Sequence, residues 1–321
     1  MIDYAKHTGY TDPGEHAALL DGLPADVPSI AEAVRNVLLH YRASGLELTA
    51  EHLLEVNNRW VERILAADQS RHPKPLAEPR PYAEHVAGCC RDYTLLSVAA
   101  LRHKGIPARS RIGFASYFAE GFHHDHVVTE YWDGSRWIWT DTQLDPADTH
   151  WAFDTTDMPR PGIGAPFATA AQVWTAIRGG GIDGASYGVD PDLPIRGPWF
   201  VFDYVLLELA HRQGDEVLLW DGWGIMSDRF GDDLSTGDPE HLALVDRIAE
   251  LLLAADDEDA ATAGAAEKEL AALYAADARL RPGDKVACMT PNGDEYAVDL
   301  RTRESVKVAA NAHLAVAAPT V

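Results

Sequence analysis

The stretch from Gly88 to Asp141 limits the fold more than any other part of the chain. It opens with Gly88-Cys89-Cys90-Arg91-Asp92, and apolar residues then recur at helical spacing: Tyr93, Leu95, Leu96, Val98, Ala99 and Leu101. Gly105 suits the left-handed conformation that ends many helices, and Pro107 prevents the helix from continuing. The sequence therefore predicts a helix from about Cys89 to Lys104, with both cysteines in its first turn.

A β-hairpin is predicted a short distance after this helix. His126–Trp132 has the composition of a strand, and Asp133-Gly134 is a signal for a two-residue hairpin turn. The return strand covers about 136–142. With this turn, the register places His126 directly opposite Asp141, with Cβ atoms about 4.5–5.5 Å apart.

A thiol, an imidazole and a carboxylate are thus expected to meet in this stretch. The first turn of a helix offers unsatisfied N–H groups and the positive end of the helix dipole, which both stabilise a thiolate. An imidazole can take up the thiol proton, and a carboxylate can hold that imidazole in one tautomer. The same helix N–H groups can stabilise an oxyanion. The stretch therefore favours nucleophilic catalysis by cysteine.

Composition narrows the class of protein without identifying a substrate. The 321 residues are 46% hydrophobic and 24% charged, which is typical of a globular chain with a sizeable core. The formal net charge of −23 argues against a nucleic-acid partner, and no apolar run is long enough for a membrane partner. We read the acidity as a solubility feature, with steering of amine-bearing ligands as the alternative. Three cysteines and the lack of a signal-like N-terminus predict a cytoplasmic protein, and the oligomeric state is left open.

The patterns along the chain predict four segments. They are an irregular N-terminal arm (1–28), a catalytic core (29–160), a mostly helical extension packed on the core (161–255), and a tail with an acidic, alanine-rich linker, a short helix and a small β-hairpin (256–321). Within the core, Ser29 and Glu32 are predicted to form a capping box. Thr49 is predicted to cap a helix that runs to about Ala67.

Three separate segments resemble the transglutaminase-like superfamily. Gly88–Tyr93 and the ending Gly105–Arg109 are similar to its nucleophile helix, His126–Trp132 to its histidine segment, and Trp137–Asp141 to its aspartate segment. The resemblance covers about residues 50–145. It implies an α+β, papain-like core in which the nucleophile helix packs on an antiparallel sheet. The region after Asp141 resembles an extension of bacterial members.

The resemblance also implies acyl-transfer chemistry by a Cys-His-Asp triad. Its cysteine stands two residues after a glycine and two before an aspartate, which selects Cys90 as the nucleophile, His126 as the base and Asp141 as the orienting carboxylate. Cys89 stands at a position that is usually not cysteine, and neighbouring helical residues point about 100° apart. A thioester acyl-enzyme is expected from an amide, ester or thioester, either a peptide or a small molecule. Water or an amine acceptor would resolve it, and no metal or organic cofactor is required.

Two other functions stay open at this stage. The first is a catalytically silent peptide-binding module with the same fold. The second is a zinc hydrolase that uses the cluster His123-His124-Asp125-His126, although these residues lack the helical His-x-x-x-His spacing of zinc enzymes.

Four further residues are candidates for contact with the substrate. Arg91 could stabilise negative charge beside the thiol or point to solvent. His123 and His124 would lie at the rim of the cleft, and Trp139 could line the cleft or belong to the core. The sequence does not identify a second oxyanion donor beside the Cys90 amide, and the candidates are Trp60, Gln69 and Tyr82.

Overall fold

The computed structural model of the protein describes residues 2–226 and 237–308. Helices and strands are both present in this part of the chain, in separate runs, and the fold is α+β, which confirms the predicted class. Within the same residues, no helix is both long and apolar enough to cross a membrane.

The chain divides into two compact units. The first unit contains residues 2–111 and 126–160. The second unit contains residues 112–125, 161–226 and 237–308. Cys90, His126 and Asp141 all belong to the first unit.

Both units contain helices, and one central helix of the first unit carries the predicted nucleophile. The helices are Ala17–Asp21 (α1), Val27–Val37 (α2), Ala50–Leu53 (α3), Val61–Arg71 (α4), Cys90–His103 (α5), Ala170–Arg178 (α6), Pro198–Arg212 (α7), Pro239–Ala254 (α8) and Ala260–Ala276 (α9). The α5 helix matches the predicted nucleophile helix to within one residue at each end. Every residue of α5 except His103 is buried, because α1, α2 and α4 all pack against it.

The strands form three sheets. They are Leu38–His40 (β1), Val86–Gly88 (β2), Ala108–Ala119 (β3), Phe122–Trp132 (β4), Trp137–Thr140 (β5), Phe167–Thr169 (β6), Tyr187–Gly188 (β7), Asp221–Gly222 (β8), Lys285–Met289 (β9), Glu295–Asp299 (β10) and Glu304–Lys307 (β11). The β1 and β2 strands pair in parallel. A second sheet has the order β5-β4-β3-β6 with β7 beside β4, and a third has the order β11-β10-β9-β8. The β2 strand leads directly into α5, and β4 and β5 form the predicted hairpin.

The first long helix begins earlier than predicted. Asp26 caps α2 by accepting a hydrogen bond of 2.9 Å from the Ser29 N–H, so the predicted capping box of Ser29 and Glu32 is wrong. Pro28 fits the first turn of α2 because no helical N–H is needed there. The predicted irregular arm therefore contains α1 and the start of α2.

The helix predicted after Thr49 is interrupted. Thr49 caps it as expected, accepting from the His52 N–H at 3.1 Å. The α3 helix then ends after one turn, and a 3₁₀ turn continues to Asn57 before α4 begins at Val61. Asparagine competes with the helical backbone for hydrogen bonds, so the pair Asn57-Asn58 favours a break at this place.

The alanine-rich segment near the C-terminus is helical earlier than expected. The α9 helix begins at Ala260, inside the predicted linker, and Asp259 caps it by accepting from the Thr262 N–H at 2.9 Å. Alanine has the highest intrinsic helix propensity, which favours this start. The predicted hairpin further along the chain corresponds to β9 and β10.

The register of the β4–β5 hairpin differs by two positions from the prediction. Trp132 pairs with Trp137 rather than with Ser135. Gly134 has φ +104°, a conformation that glycine adopts without strain, and this residue begins the two-residue loop. The Asp133 carboxylate accepts hydrogen bonds from the Ser135 and Arg136 N–H groups at 2.7 and 2.8 Å. Asp133 therefore supports the loop from its base and is not one of its two central residues.

This register makes the predicted direct opposition of His126 and Asp141 wrong. Thr140 is the last residue of β5 and pairs with Thr129, so Asp141 follows the end of the strand. A shift of two residues nevertheless keeps each side chain on its original face, because side chains alternate along a strand. His126 and Asp141 therefore stay on the same face, as diagonal neighbours.

Candidate active site

The Cys90 thiol lies at the first residue of α5, at the end of a tightly packed turn. Cys89 caps the helix in an extended conformation, and its N–H donates to the Asp92 carboxylate at 2.9 Å. A Cβ on Gly88 would lie 3.0 Å from Asp92 Oδ2 and 3.2 Å from Leu38 Cδ2, so only glycine fits here without displacing neighbours. The turn therefore holds the start of α5, and with it Cys90, in one position.

Arg91 stabilises this turn from the interior. Its guanidinium is fully buried and donates to Asp92 Oδ1 at 2.8 Å and to the Arg59 carbonyl at 2.6 Å. Burial raises the pKa of Asp92, although the Arg91 charge and the Cys89 N–H act in the opposite direction. Arg91 is therefore a structural partner of Asp92 and does not point to solvent, and its predicted contact with substrate has no support from this location.

His126 and Asp141 form a buried hydrogen-bonded pair. The distance between His126 Nε2 and Asp141 Oδ2 is 2.7 Å, and both side chains are almost completely buried. The Thr94 hydroxyl on α5 donates to the Val127 carbonyl on β4 at 2.9 Å. This contact fixes the helix that carries Cys90 against the strand that carries His126.

The Cys90 side chain is hydrogen-bonded to His126. Because Asp141 occupies Nε2, Nδ1 is the ring nitrogen available to the thiol. Burial lowers the pKa of His126, but the charges and hydrogen bonds of Asp141 and Cys90 outweigh it and raise this pKa to about 10. The site therefore favours the imidazolium form of His126 at neutral pH.

Cys89 has a different environment from Cys90. A hydrogen bond with Cys90, burial and the charge of Asp92 together raise the pKa of the Cys89 thiol. Cys89 therefore keeps its proton, and of the two adjacent cysteines the structure places Cys90 against His126.

A network behind Asp141 fixes the carboxylate. The Asp141 N–H donates to the Thr155 carbonyl at 2.9 Å, and Asp141 Oδ1 accepts from the Gln143 N–H at 3.1 Å. Arg35 on α2 donates to the carbonyls of Thr142 and Leu144 at 3.3 and 3.1 Å. The sequence showed no signal for Arg35, because this contact joins residues more than 100 positions apart.

The other residues predicted to contact the substrate are Trp139, His123 and His124, and each interacts with residues of its own unit. Trp139 is buried in the first unit, with the Arg111 guanidinium 4.6 Å from its ring centroid, which fits a core position. In the second unit, the ring of His123 stacks on Tyr187 with centroids 4.2 Å apart. His124 Nδ1 donates to the Val189 carbonyl at 2.9 Å. Contact of these residues with a substrate stays a prediction.

The histidine cluster is not organised as a metal centre. Within residues 2–226 and 237–308, no group of three or more His, Cys, Asp or Glu side chains is arranged to hold a metal ion. His123 and His124 have the partners just described, Asp125 accepts from the Tyr204 hydroxyl, and His126 is held by Asp141. The geometry therefore gives no support to the zinc hydrolase.

The three predicted oxyanion donors differ in their surroundings. Gln69 donates to the Asp68 carboxylate at 2.7 Å and to the Lys74 carbonyl at 2.9 Å. Trp60 caps α4 and lies under the Arg63 guanidinium, and Tyr82 is 48% exposed. None of these contacts involves Cys90 or His126.

Comparison with known proteins finds a family model that spans the candidate site. The model of the transglutaminase-like superfamily matches residues 44–142, a segment that contains Cys90, His126 and Asp141. This match confirms the resemblance inferred from the three sequence segments, and it supports cysteine-based catalysis at the level of the superfamily. The comparison with curated proteins gives no match.

One solved structure shows a limited likeness. It comes from Cytophaga hutchinsonii and is described as a "Putative Cysteine Protease". The identity is 20% and the TM-score is 0.29, over 44% of this chain. The chain spans less than half of that protein, 42% of its length.

Proposed function

We propose that this chain, whose residues 44–142 are transglutaminase-like, is a cysteine-dependent acyl-transfer enzyme. Its substrate would be an amide, ester or thioester of a peptide or small molecule. The reaction would pass through a thioester between the acyl group and Cys90.

The contact of Cys90 with His126, and of His126 with Asp141 at 2.7 Å, carries the proposal. Cys90 is 4% exposed, His126 2% and Asp141 3%, so the charges of the triad act in a medium that contains little water. Electrostatic interactions are stronger there than in solvent. This setting suits an ion pair that must be ready before the substrate binds.

The first half of the reaction forms the thioester. Cys90 Sγ attacks the carbonyl carbon, and the C=O π electrons move to the oxygen to give a tetrahedral oxyanion. The Cys90 N–H at the start of α5 would donate to this oxyanion. The C=O bond then re-forms, the bond to the leaving group breaks, and His126 gives its proton to the leaving amine, alcohol or thiol.

The second half of the reaction releases the acyl group. His126, now neutral, takes a proton from water or from an amine that attacks the thioester carbonyl. The Cys90 thiolate leaves, and the imidazolium forms again. Attack by water makes the protein an amidase or peptidase, and attack by an amine makes it a transferase or amide synthase.

Acylation by p-nitrophenyl acetate, followed by intact mass spectrometry, tests the proposal. We expect an acetyl adduct on the wild type and a loss of at least about 10⁴-fold in acylation rate in Cys90→Ser, because the hydroxyl is a far weaker nucleophile. Cys288→Ser is the matched control and should acylate like the wild type, since Cys288 lies on β9 in the second unit. A Cys90 thiol that reacts neither with the ester nor with iodoacetamide near neutral pH would favour the silent binding module.

The acceptor can be read from the products of the same reaction. Release of acetate alone indicates hydrolysis. Acyl transfer to added primary amines, competing with water, indicates a transferase.

A further inference from the structure

His40 lies beside the strand that leads into the nucleophile. It ends β1, which pairs in parallel with β2, and its partner in the register is Gly88, two residues before Cys90. The next residue, Tyr41, donates its N–H to the Gly88 carbonyl at 2.9 Å. Paired strands lie about 4.8 Å apart. The backbone of His40 is therefore next to the turn that carries Cys90.

His40 is half-buried, whereas Leu38 and Leu39 before it are buried. Its ring stacks on Tyr41 with centroids 5.4 Å apart, and Nδ1 accepts a hydrogen bond of 3.3 Å from the Arg42 N–H. A nitrogen that accepts a backbone N–H carries no proton, so the proton of the neutral ring lies on Nε2. The Nε2–H edge is the one available to a bound molecule.

The charges of the proposed triad act on the His40 ring. The pKa of His40 is lowered to about 3 by burial of the ring and by the positive charges of His126 and Arg42, while Asp141 acts in the opposite direction. The ring therefore stays neutral when His126 is protonated. A neutral imidazole of this kind is a poor base, but it donates a hydrogen bond without competing for the triad proton.

We infer that His40 is the second oxyanion donor of this site, and that its Nε2–H binds the carbonyl oxygen of the substrate opposite the Cys90 N–H. This assignment rests on the proposed function. When Cys90 Sγ attacks, the C=O electron pair moves to the oxygen, and His40 donates a hydrogen bond to it without giving up its proton. When the C=O bond re-forms, the same hydrogen bond weakens, and the leaving group takes its proton from His126.

Two reactions of Cys90 separate this role from a role in activating the thiol. Acylation by p-nitrophenyl acetate builds an oxyanion, whereas alkylation by iodoacetamide displaces iodide and builds none. In His40→Met, which has similar size but no donor, we expect acylation to fall by about 10²- to 10³-fold. The alkylation rate of Cys90, followed by mass spectrometry of the labelled peptide, should be unchanged.

The amide variants place a donor at two different positions on the ring. The His40→Gln amide reaches the position of Nε2 and should recover part of the acylation rate. The His40→Asn amide reaches only the position of Nδ1 and should lose as much as His40→Met. The comparison of His40→Gln with His40→Asn tests the donor role of Nε2 even where His40→Met does not fold. Equal acylation rates in His40→Gln and His40→Asn would overturn the inference.

A control variant and three further outcomes complete the test of His40. His103→Met removes an imidazole at the opposite end of α5, about 20 Å from Cys90, and should acylate like the wild type. Equal losses of acylation and alkylation in His40→Met would assign His40 to the thiolate and overturn the inference, as would full acylation in that variant. Wild-type protein that cannot be acylated at Cys90 would instead reject the proposed function.

Discussion

Two buried charged clusters each include a residue of β4 and differ in the chemistry of their cations. In the arginine cluster, Glu130 accepts hydrogen bonds from Arg109 and from Arg111, the latter at 3.2 Å. In the proposed triad, His126 lies four residues earlier on β4 and is held by Asp141. The side chains of both clusters are at most 5% exposed.

The two clusters differ in whether their ionisable groups can exchange a proton. A guanidinium keeps its charge at every pH at which proteins fold, so the arginine cluster has one charge state. Aromatic rings enclose it, with Trp137 4.5 Å from Arg109 and Trp139 4.6 Å from Arg111. An imidazole and a thiol can both exchange protons with a substrate. Strand β4 thus contributes Glu130 to a cluster suited to structural support and His126 to a cluster suited to reaction.

The largest effect that separates the two clusters is expected at Asp141. Asp141→Ala removes the hydrogen bond to His126 Nε2 and the charge that raises the pKa of this imidazole. We expect the rate of acylation at Cys90 to fall by about 10³- to 10⁴-fold. Asp141→Asn keeps an acceptor oxygen and should lie between this variant and the wild type. Acylation of Asp141→Ala at the wild-type rate would show that Asp141 takes no part in the reaction.

The second effect is expected at Glu130, in stability rather than in rate. Glu130→Gln leaves two buried guanidinium groups without their carboxylate, which should lower the free energy of unfolding by about 3–5 kcal/mol. Urea denaturation measures this loss, and the folded variant should still be alkylated at Cys90 at the wild-type rate. Asp157→Asn breaks the exposed pair with Arg136 and is the control, with an expected loss of about 0–1 kcal/mol. Equal losses in the two variants would contradict a structural role for the arginine cluster.

Local patterns were sufficient to predict α5 and the pairing of His126 with Asp141 on one face. The helix follows from apolar spacing and from Gly105 and Pro107, and the common face follows from the alternation of side chains. The register was wrong by two positions because it depends on which residue begins the turn. The dipeptide Asp133-Gly134 fits a turn that begins at either residue, and only the backbone conformation of Gly134 shows where the turn begins.

Contacts between distant residues could not be predicted from the sequence. Arg35 reaches the Asp141 loop from α2, and His40 reaches the turn before Cys90 through the pairing of β1 with β2. Neither residue belongs to a motif, and each acts through a partner far along the chain. The sequence offers Trp60, Gln69 and Tyr82 as candidate oxyanion donors by residue type alone, and a residue type carries no information about such pairings.

The smallest effect that distinguishes the clusters is the pH dependence of stability. The folded pKa of His126 lies above its usual value near 6.5, so its protonated form stabilises the fold. That contribution is complete below about pH 6.5 and is lost as the pH rises toward the folded value of about 10. In the wild type, a Cys90 thiolate in the folded protein would offset the proton that His126 holds and would hide much of this slope.

The Cys90→Ser background removes that compensation, and there Asp141 alone raises the pKa of His126. We expect the difference in unfolding free energy between Cys90→Ser and Cys90→Ser/His126→Gln to fall by at most about 1.4 kcal/mol from pH 7 to 8. Urea denaturation at both pH values measures it. The difference between the wild type and Glu130→Gln should not change over this interval, because the guanidinium charges are constant. If the difference between Cys90→Ser and Cys90→Ser/His126→Gln also stays constant from pH 7 to 8, the imidazole of His126 is neutral in the folded protein. Only the arginine cluster would then contain a buried cation, which contradicts the comparison of two charged clusters.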